Sequence, residues 1–160
     1  METNKIICGD CLEIMKGISD SSIDLVFADP PFNRKKNYGI YKDNENKKTY
    51  LEWVEKWIQE CFRILKNTGN FFIMIDSKNV GYYQVMMDKY GIFENLIIWC
   101  RGGASTKRKF NPYHQDILFY SKDHKEHYFK FDAEHKPIDK TKNWLCKEKF
   151  RRFSVQALLQ

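Results

Sequence analysis

The sequence predicts an α/β fold: a mostly parallel sheet with helices on both faces. Short apolar runs with turn residues beside them recur along the chain, as expected for strands buried on both faces. Between them lies a long stripe of apolar residues at helical spacing. The two patterns alternate as strand, helix, strand, which favours parallel pairing through helical crossovers. A length of 160 residues suits one domain, large enough for a real core.

Taken in order, Lys5 to Cys8 reads as a first strand ending at Gly9-Asp10, and Cys11 to Ile18 as a short helix. Ile23 to Ala28 is the second strand. Asn33 to Lys48 has no clear periodicity and reads as a basic lid, with Tyr38 and Tyr41 among its lysines. Thr49-Tyr50-Leu51-Glu52 has capping-box spacing and should open a helix that ends at Asn67-Thr68-Gly69. That helix places Leu51, Val54, Trp57, Ile58, Cys61, Phe62 and Leu65 on one stripe, which is core packing. Strands follow at Asn70 to Ile75, Leu96 to Cys100 and Asp116 to Ser121, with a helix over roughly Val80 to Tyr90. Tyr128, Phe129 and Phe131 alternate with other residues and suggest a hairpin strand.

Composition excludes several classes. Hydrophobic residues make up 42% of the chain and aromatics 16%, which suits a folded domain rather than a disordered one. No apolar run approaches the roughly 20 residues that span a bilayer, and the first residues lack a signal-peptide core. A soluble, cytoplasmic protein is expected. The 5 cysteines then read as free thiols. Cys8-Gly9-Asp10-Cys11 is a C-x-x-C, but Cys61, Cys100 and Cys146 supply no second pair for zinc. His124, His127, His135 and Cys146 read as too scattered for a metal site, so none is expected.

Charge is unevenly placed. Residues 1–100 hold 13 Lys+Arg against 14 Asp+Glu, whereas residues 101–160 hold 14 against 7. The basic C-terminal part, with Trp144, Phe150 and Phe153 interleaved, suits a polyanion partner. The loop Arg101 to His114 is glycine-containing and basic, but it lacks the spacing of a nucleotide P-loop.

The stretch that organises the rest is Leu25-Val26-Phe27-Ala28-Asp29-Pro30-Pro31-Phe32. Prolines cannot continue a central strand, because they lack the N–H that the ladder needs. Asp29 is therefore delivered at the carboxyl end of the strand, where open α/β sheets place their ligands. Pro30 and Pro31 stiffen a loop that presents a carboxylate beside an aromatic face, a pairing that can grip a flat, hydrogen-bonding ring.

Asp-Pro-Pro-Phe after an apolar strand, preceded by Gly9-Asp10-Cys11-Leu12-Glu13 and Ser22-Ile23-Asp24-Leu25, resembles the amino-methylating DNA methyltransferases. These use S-adenosylmethionine to methylate adenine N6 or cytosine N4. The order of motifs resembles their permuted group, in which the glycine-rich cofactor loop comes last. The resemblance implies a Rossmann-like methyltransferase sheet, incomplete here, over residues 1–122, with 123–160 as a basic tail that begins a target-recognition region. It implies double-stranded DNA as partner, base flipping, and a restriction-modification setting.

By the same resemblance, Asp29, Pro30, Pro31 and Phe32 form the catalytic set. Asp29 and the Pro30 carbonyl would accept the N–H bonds of the target amine, and Phe32 would stack on the base, in place of the tyrosine more often found there. Asp10, Cys11 and Asp29 would line the cofactor side, with Asp10 also a candidate cap for the helix at Cys11. Arg34, Lys35, Lys36, Arg101, Lys107, Arg108 and Lys109 would hold the DNA backbone. The acid of Asp-Pro-Pro-Phe favours adenine N6, since cytosine-N4 members more often carry serine. The family's glycine-rich loop has no counterpart in these residues, which implies a truncated or split methyltransferase, and the apolar faces and edge of an incomplete sheet favour a homodimer or a complementing methyltransferase chain. The alternative is an inactive basic DNA-binding module that keeps a remnant of the fold.

Overall fold

A computed structural model describes residue 4 and residues 6–38, 41–100 and 114–130. The elements run α1 (Cys11–Lys16), β1 (Ile23–Ala28), β2 (Asn37–Tyr38), β3 (Tyr41–Lys42), α2 (Lys47–Ile64), β4 (Leu65–Ile75), α3 (Val80–Met87), β5 (Ile92–Cys100) and β6 (His114–Ser121). Four strands form one sheet in the order β1-β4-β6-β5, and β2 and β3 pair separately. The fold is Rossmann-like, but the ladders are mixed. β1 and β4 are parallel, while β6 runs antiparallel to both β4 and β5. The physical reason lies in the connections. A parallel return needs a crossover long enough to span the sheet, and the sequence between β5 and β6 carries no helical pattern to make one.

Register sorts the strand residues onto two faces. Val26 and Ala28 of β1 pair with Phe71 and Ile73 of β4, which pair in turn with Tyr120 and Leu118 of β6. These residues share one core with Met15 of α1 and Ile18 just after it, with Val54, Trp57, Ile58 and Phe62 of α2, and with Tyr83, Met86 and Met87 of α3. All three helices therefore cover one face. The expectation of helices on both faces is not met among the described residues. The second face carries Leu25, Phe27, Phe72, Met74, Ile117, Phe119, Ile97 and Trp99 by register. There Phe72 and Phe119 stack with ring centres 4.4 Å apart.

Several boundaries differ from the sequence reading. Ile6, Ile7 and Cys8 form no ladder, and Ile6 is fully exposed. A strand is stable only when paired, and the run finds no partner strand among the described residues. α2 is capped by Asn46, whose side chain accepts from the Lys48 amide at 2.9 Å. Thr49 thus lies inside the first turn rather than at the cap. The helix stops at Ile64, because Leu65 adopts extended dihedrals and the chain passes directly into β4. Asn67-Thr68-Gly69 instead occupies a register shift, where β1 gives one residue between Ile23 and Leu25 and β4 gives four between Leu65 and Asn70. A Cβ on Gly69 would come within 2.7 Å of Leu65 Cδ1 and 3.0 Å of the Asp24 carbonyl oxygen, so the bulge needs glycine there.

Arg63, near the end of α2, fastens α1 to it. Its guanidinium donates to the carbonyls of Met15 at 2.7 Å and Ile18 at 2.9 Å, and also pairs with Glu60 and Asp20. Cys61 is buried beside Met15, and burial raises its thiol pKa to about 12. It is a packing residue, not a nucleophile. The start of the expected tail belongs to the same body. The Tyr128 amide donates to the Thr68 carbonyl at 2.9 Å, and Asn70 Nδ2 donates to the Tyr128 carbonyl at 2.7 Å. Tyr128 and Phe129 themselves are exposed and outside any strand, and Phe131, like residues 132–160, lies outside the described residues.

Candidate active site

β1 ends at Ala28, so Asp29 leaves the sheet at its carboxyl end, next to the end of β4 through the Ala28–Ile73 pairing. Two further acids share that end. Asp76 follows β4, and Asp116 pairs with Ile75. Both are buried, whereas Asp29 keeps an open face to solvent. Partial burial raises the Asp29 carboxyl pKa, and the positive charge of Lys36 acts in the opposite direction. The carboxylate thus keeps access to solvent on one side while its partial burial strengthens the hydrogen bonds it accepts on the other.

The loop that carries Asp29 is held from below by two buried tyrosines. Tyr50 Oη donates to the Pro31 carbonyl at 2.7 Å, and lies 2.6 Å from Tyr83 Oη. Tyr50 is the fourth residue of α2 and Tyr83 the fourth of α3. Two helices of the core thus fix the height of the Pro-Pro segment above the sheet.

Beyond Phe32 the chain turns around Asp43, which is 2% exposed. Its carboxylate accepts from the amides of Asn33 at 2.8 Å, Arg34 at 2.8 Å and Lys36 at 3.1 Å. Its own carbonyl accepts from the Lys35 amide at 2.6 Å. Asn33 and Lys35 sit at φ of 54° and 62°, left-handed values that non-glycine residues adopt only when their surroundings impose them. Asn33 also exchanges two hydrogen bonds with Glu45, through Nδ2 and Oδ1. What reads in the sequence as an aperiodic lid is, over residues 33–38 and 41–48, a turn built around one buried acid.

Arg34 is engaged within the site. Its Nε and Nη2 reach Asp76 Oδ2 at 2.7 and 2.6 Å, and its guanidinium carbon lies 5.8 Å from the centre of the Phe32 ring. The carboxylate of Asp76 orients the guanidinium, and the guanidinium in turn backs the aromatic ring. The structure therefore brings Asp29, Pro30, Pro31, Phe32 and Arg34 together, with Lys36 close enough to influence Asp29. Lys35 is exposed. Asp10 caps α1, its Oδ1 accepting from Leu12 N at 2.8 Å and Glu13 N at 3.4 Å, which places Cys11 at the first helical position. Arg101, Lys107, Arg108 and Lys109 lie outside the described residues.

Sequence reasoning missed the supporting residues Asp43, Tyr50, Asp76 and Tyr83. Asp76 offered a signal, an acid directly after an apolar strand in the same pattern as Asp29. Asp43 and the tyrosines offered none, because their partners, main-chain groups and for Tyr83 the Tyr50 hydroxyl, are brought near only by folding.

Comparison with known proteins shows the family. Residues 23–155 match the N6/N4 methyltransferase family described as DNA methylase. The chain belongs to that family. It is 35% identical over 131 residues to the type II methyltransferase M.HpaI of Haemophilus parainfluenzae, covering 80% of this chain and 42% of that protein. It is 32% identical over 134 residues to the DNA adenine methyltransferase YhdJ of Escherichia coli K12, covering 82% and 46%. Among solved structures, the PvuII cytosine-N4-specific DNA methyltransferase superposes with a TM-score of 0.62 at 18% identity, over 76% of this chain and 50% of that one. The complex of M1.HpyAVI with S-adenosylmethionine gives a TM-score of 0.53 at 16% identity, over 74% and 54%. At such identities the structures establish the shared fold. The chain spans less than half the length of M.HpaI and YhdJ. No helix among the described residues is long and apolar enough to cross a membrane.

Proposed function

We propose that this chain carries the base-side half of an S-adenosylmethionine-dependent DNA methyltransferase of a restriction-modification system, acting on adenine N6 of a base flipped out of double-stranded DNA. The observation that carries the reading is the rigid presentation of Asp29 beside Phe32, fixed by Tyr50, Asp43 and the Arg34–Asp76 pair. An exocyclic amine is a poor nucleophile, because its lone pair is conjugated into the ring. Asp29 and the Pro30 carbonyl accept its N–H bonds, draw the nitrogen toward tetrahedral geometry and hold it in line for attack. Extruding the base costs a few kcal/mol, and stacking on Phe32 returns about 1–3 kcal/mol.

S-adenosylmethionine, when bound, supplies the electrophilic methyl group. The residues present fit part of that molecule. Asp10 offers a solvent-facing carboxylate with Oδ2 unpartnered among the described residues, suited to an adenine amine, and Asp29 is proposed to line the same cofactor side. Cys11, exposed at the start of α1, completes that side. The pocket for the methionine part is assigned to a complementing methyltransferase segment. Lys35 and Lys36, with Arg101, Lys107, Arg108 and Lys109, are proposed to hold DNA phosphates, and Arg34 to set the Phe32 ring.

The test is transfer of labelled methyl from S-adenosylmethionine to unmethylated DNA, with the product base identified by mass spectrometry and Asp29→Ala run in parallel. N6-methyladenine that disappears in the variant supports the reading. N4-methylcytosine would overturn the adenine assignment. DNA binding without transfer, both alone and with a complementing segment, would favour the inactive binding module.

A further inference from the structure

The sequence offered His124 and His127 as scattered residues, yet the fold brings them to one acid. Glu94 lies where β5 shifts register against β6 between Phe93 and Asn95. A bulge re-aims a side chain, and here Glu94 turns inward until its side chain is 8% exposed. Its Oε1 accepts from Ser121 Oγ at 2.5 Å, and its Oε2 lies 2.8 Å from His124 Nδ1. His127 Nδ1 stands 3.6 Å from Oε1, with the side chain only 10% exposed. That nitrogen is buried and makes no hydrogen bond. The donor atoms of Glu94, His124 and His127 all fall within 4.8 Å of one another.

A Glu–His hydrogen bond alone accounts for His124 and leaves His127 Nδ1 unexplained, aimed at a carboxylate oxygen just beyond bonding range. Main-chain structure holds the two imidazoles at this spacing. Asp123 Oδ1 accepts from the Lys125 amide at 2.8 Å, and the Asp123 carbonyl accepts from His127 N at 3.0 Å. Phe119 packs edge-on against the His127 ring, with centres 5.9 Å apart.

We propose that Glu94, His124 and His127 bind one Zn2+ ion. Two imidazoles and a carboxylate with an H-x-x-H pair are a suitable donor set. Neighbouring donors of tetrahedral zinc with bonds of about 2.0–2.2 Å lie roughly 3.3–3.5 Å apart; His127 Nδ1 stands 3.6 Å from Glu94 Oε1, and His124 Nδ1 stands 2.8 Å from the other carboxylate oxygen. The ion would take the buried lone pair of His127 as a ligand. Ser121 and Phe119 touch Glu94 and His127, while His124 is exposed, so water from solvent would complete the coordination. The site sits at the carboxyl end of β6, which runs antiparallel to β4, and so at the opposite end of the sheet from Asp29. Its role is to staple residues 122–130 to the start of β5, independently of methyl transfer.

The test uses the full chain with Cys8→Ser and Cys11→Ser, which removes the exposed thiol pair as a competing ligand. Calorimetry with Zn2+ should give one ion per chain, and Co2+ in its place should give the intense visible absorption of a tetrahedral site. His124→Ala, at an exposed position that the fold does not need, should weaken binding at least tenfold, and Glu94→Gln should do the same. Zinc should also raise the melting temperature of the parent and not of His124→Ala. Unchanged affinity in both variants would place the ion elsewhere and overturn the proposal, as would a parent chain with no binding at micromolar zinc.

Discussion

At the scale of the residue, the informative group is Asp29, because two opposing influences act on one carboxyl. Burial disfavours the charged form and raises the pKa, while Lys36 favours the charge and lowers it, with burial the larger. The sign follows directly. The carboxylate proposed to accept the amine hydrogens forms only above a pKa higher than that of a free aspartate, about 3.9, so activity should fall on the acid side earlier than for an unburied acid. Lys36→Met removes the opposing charge and should move the Asp29 titration to still higher pH. Carbon NMR of the Asp29 carboxyl reads this without any turnover, and an unmoved titration would show that Lys36 does not govern it. Asp43 acts differently, through its main-chain partners. Asp43→Ala strips an acceptor from three amides, each a hydrogen bond to a charged group worth about 1.5–3 kcal/mol. Amide exchange of Asn33, Arg34 and Lys36 should accelerate at least about tenfold, with the core amides of β4 slowed as before. The placement of Asp29 at the carboxyl end of a strand was legible in the sequence because the residues that set it are its neighbours in the chain. That of Asp43 was not, because its partners lie seven to ten residues back across a turn whose path only folding defines.

At the scale of the element, α2 is the beam on which the site rests. Its apolar stripe was readable from spacing alone. Val54, Trp57, Ile58, Cys61 and Phe62 are all buried as the stripe requires. Its ends were not readable, because both are set by what the helix meets. Asn46 caps it where the Asp43 turn delivers the chain, and Leu65 leaves it to pair with Ile23. The same helix carries Tyr50 into contact with Tyr83 and the Pro31 carbonyl. Tyr50→Phe keeps the ring packing and removes the hydroxyl, leaving Tyr83 Oη and Pro31 O with one partner fewer in a buried setting. Loss of roughly 1–3 kcal/mol of stability is expected, measured by urea unfolding. Methyl transfer should drop by more than this destabilisation accounts for, since the Pro-Pro segment loses its fixed height. A variant as stable and as active as the parent would remove Tyr50 from the list of positioning residues. Ile58→Ala, in the same helix and fully buried, should cost about 2–5 kcal/mol while leaving the titration of Asp29 unchanged.

At the scale of the whole molecule, the sheet is covered unevenly. Three helices share one face, while β5 lies at an edge with Leu96, Ile97, Ile98 and Trp99 each at least 40% exposed. The strands were legible as apolar runs, but apolar runs carry no direction. The sequence therefore implied parallel pairing where β6 runs antiparallel between β4 and β5. What the apolar runs do determine is the consequence. An exposed, flat, apolar edge strand invites pairing with another chain, and leucine, isoleucine and tryptophan left half-open are where the surrounding water is least favourable. In isolation the chain should therefore associate with itself as concentration rises and should bind a hydrophobic dye. Ile97→Lys together with Trp99→Lys places charge on the helix-free side of that edge without touching the buried core. The pair should return the chain to a monomer by sedimentation and reduce dye binding, with stability changed by no more than about 1 kcal/mol, as for surface positions generally. A parent chain that stays monomeric at high concentration and binds no dye would mean that this edge is not the adhesive surface.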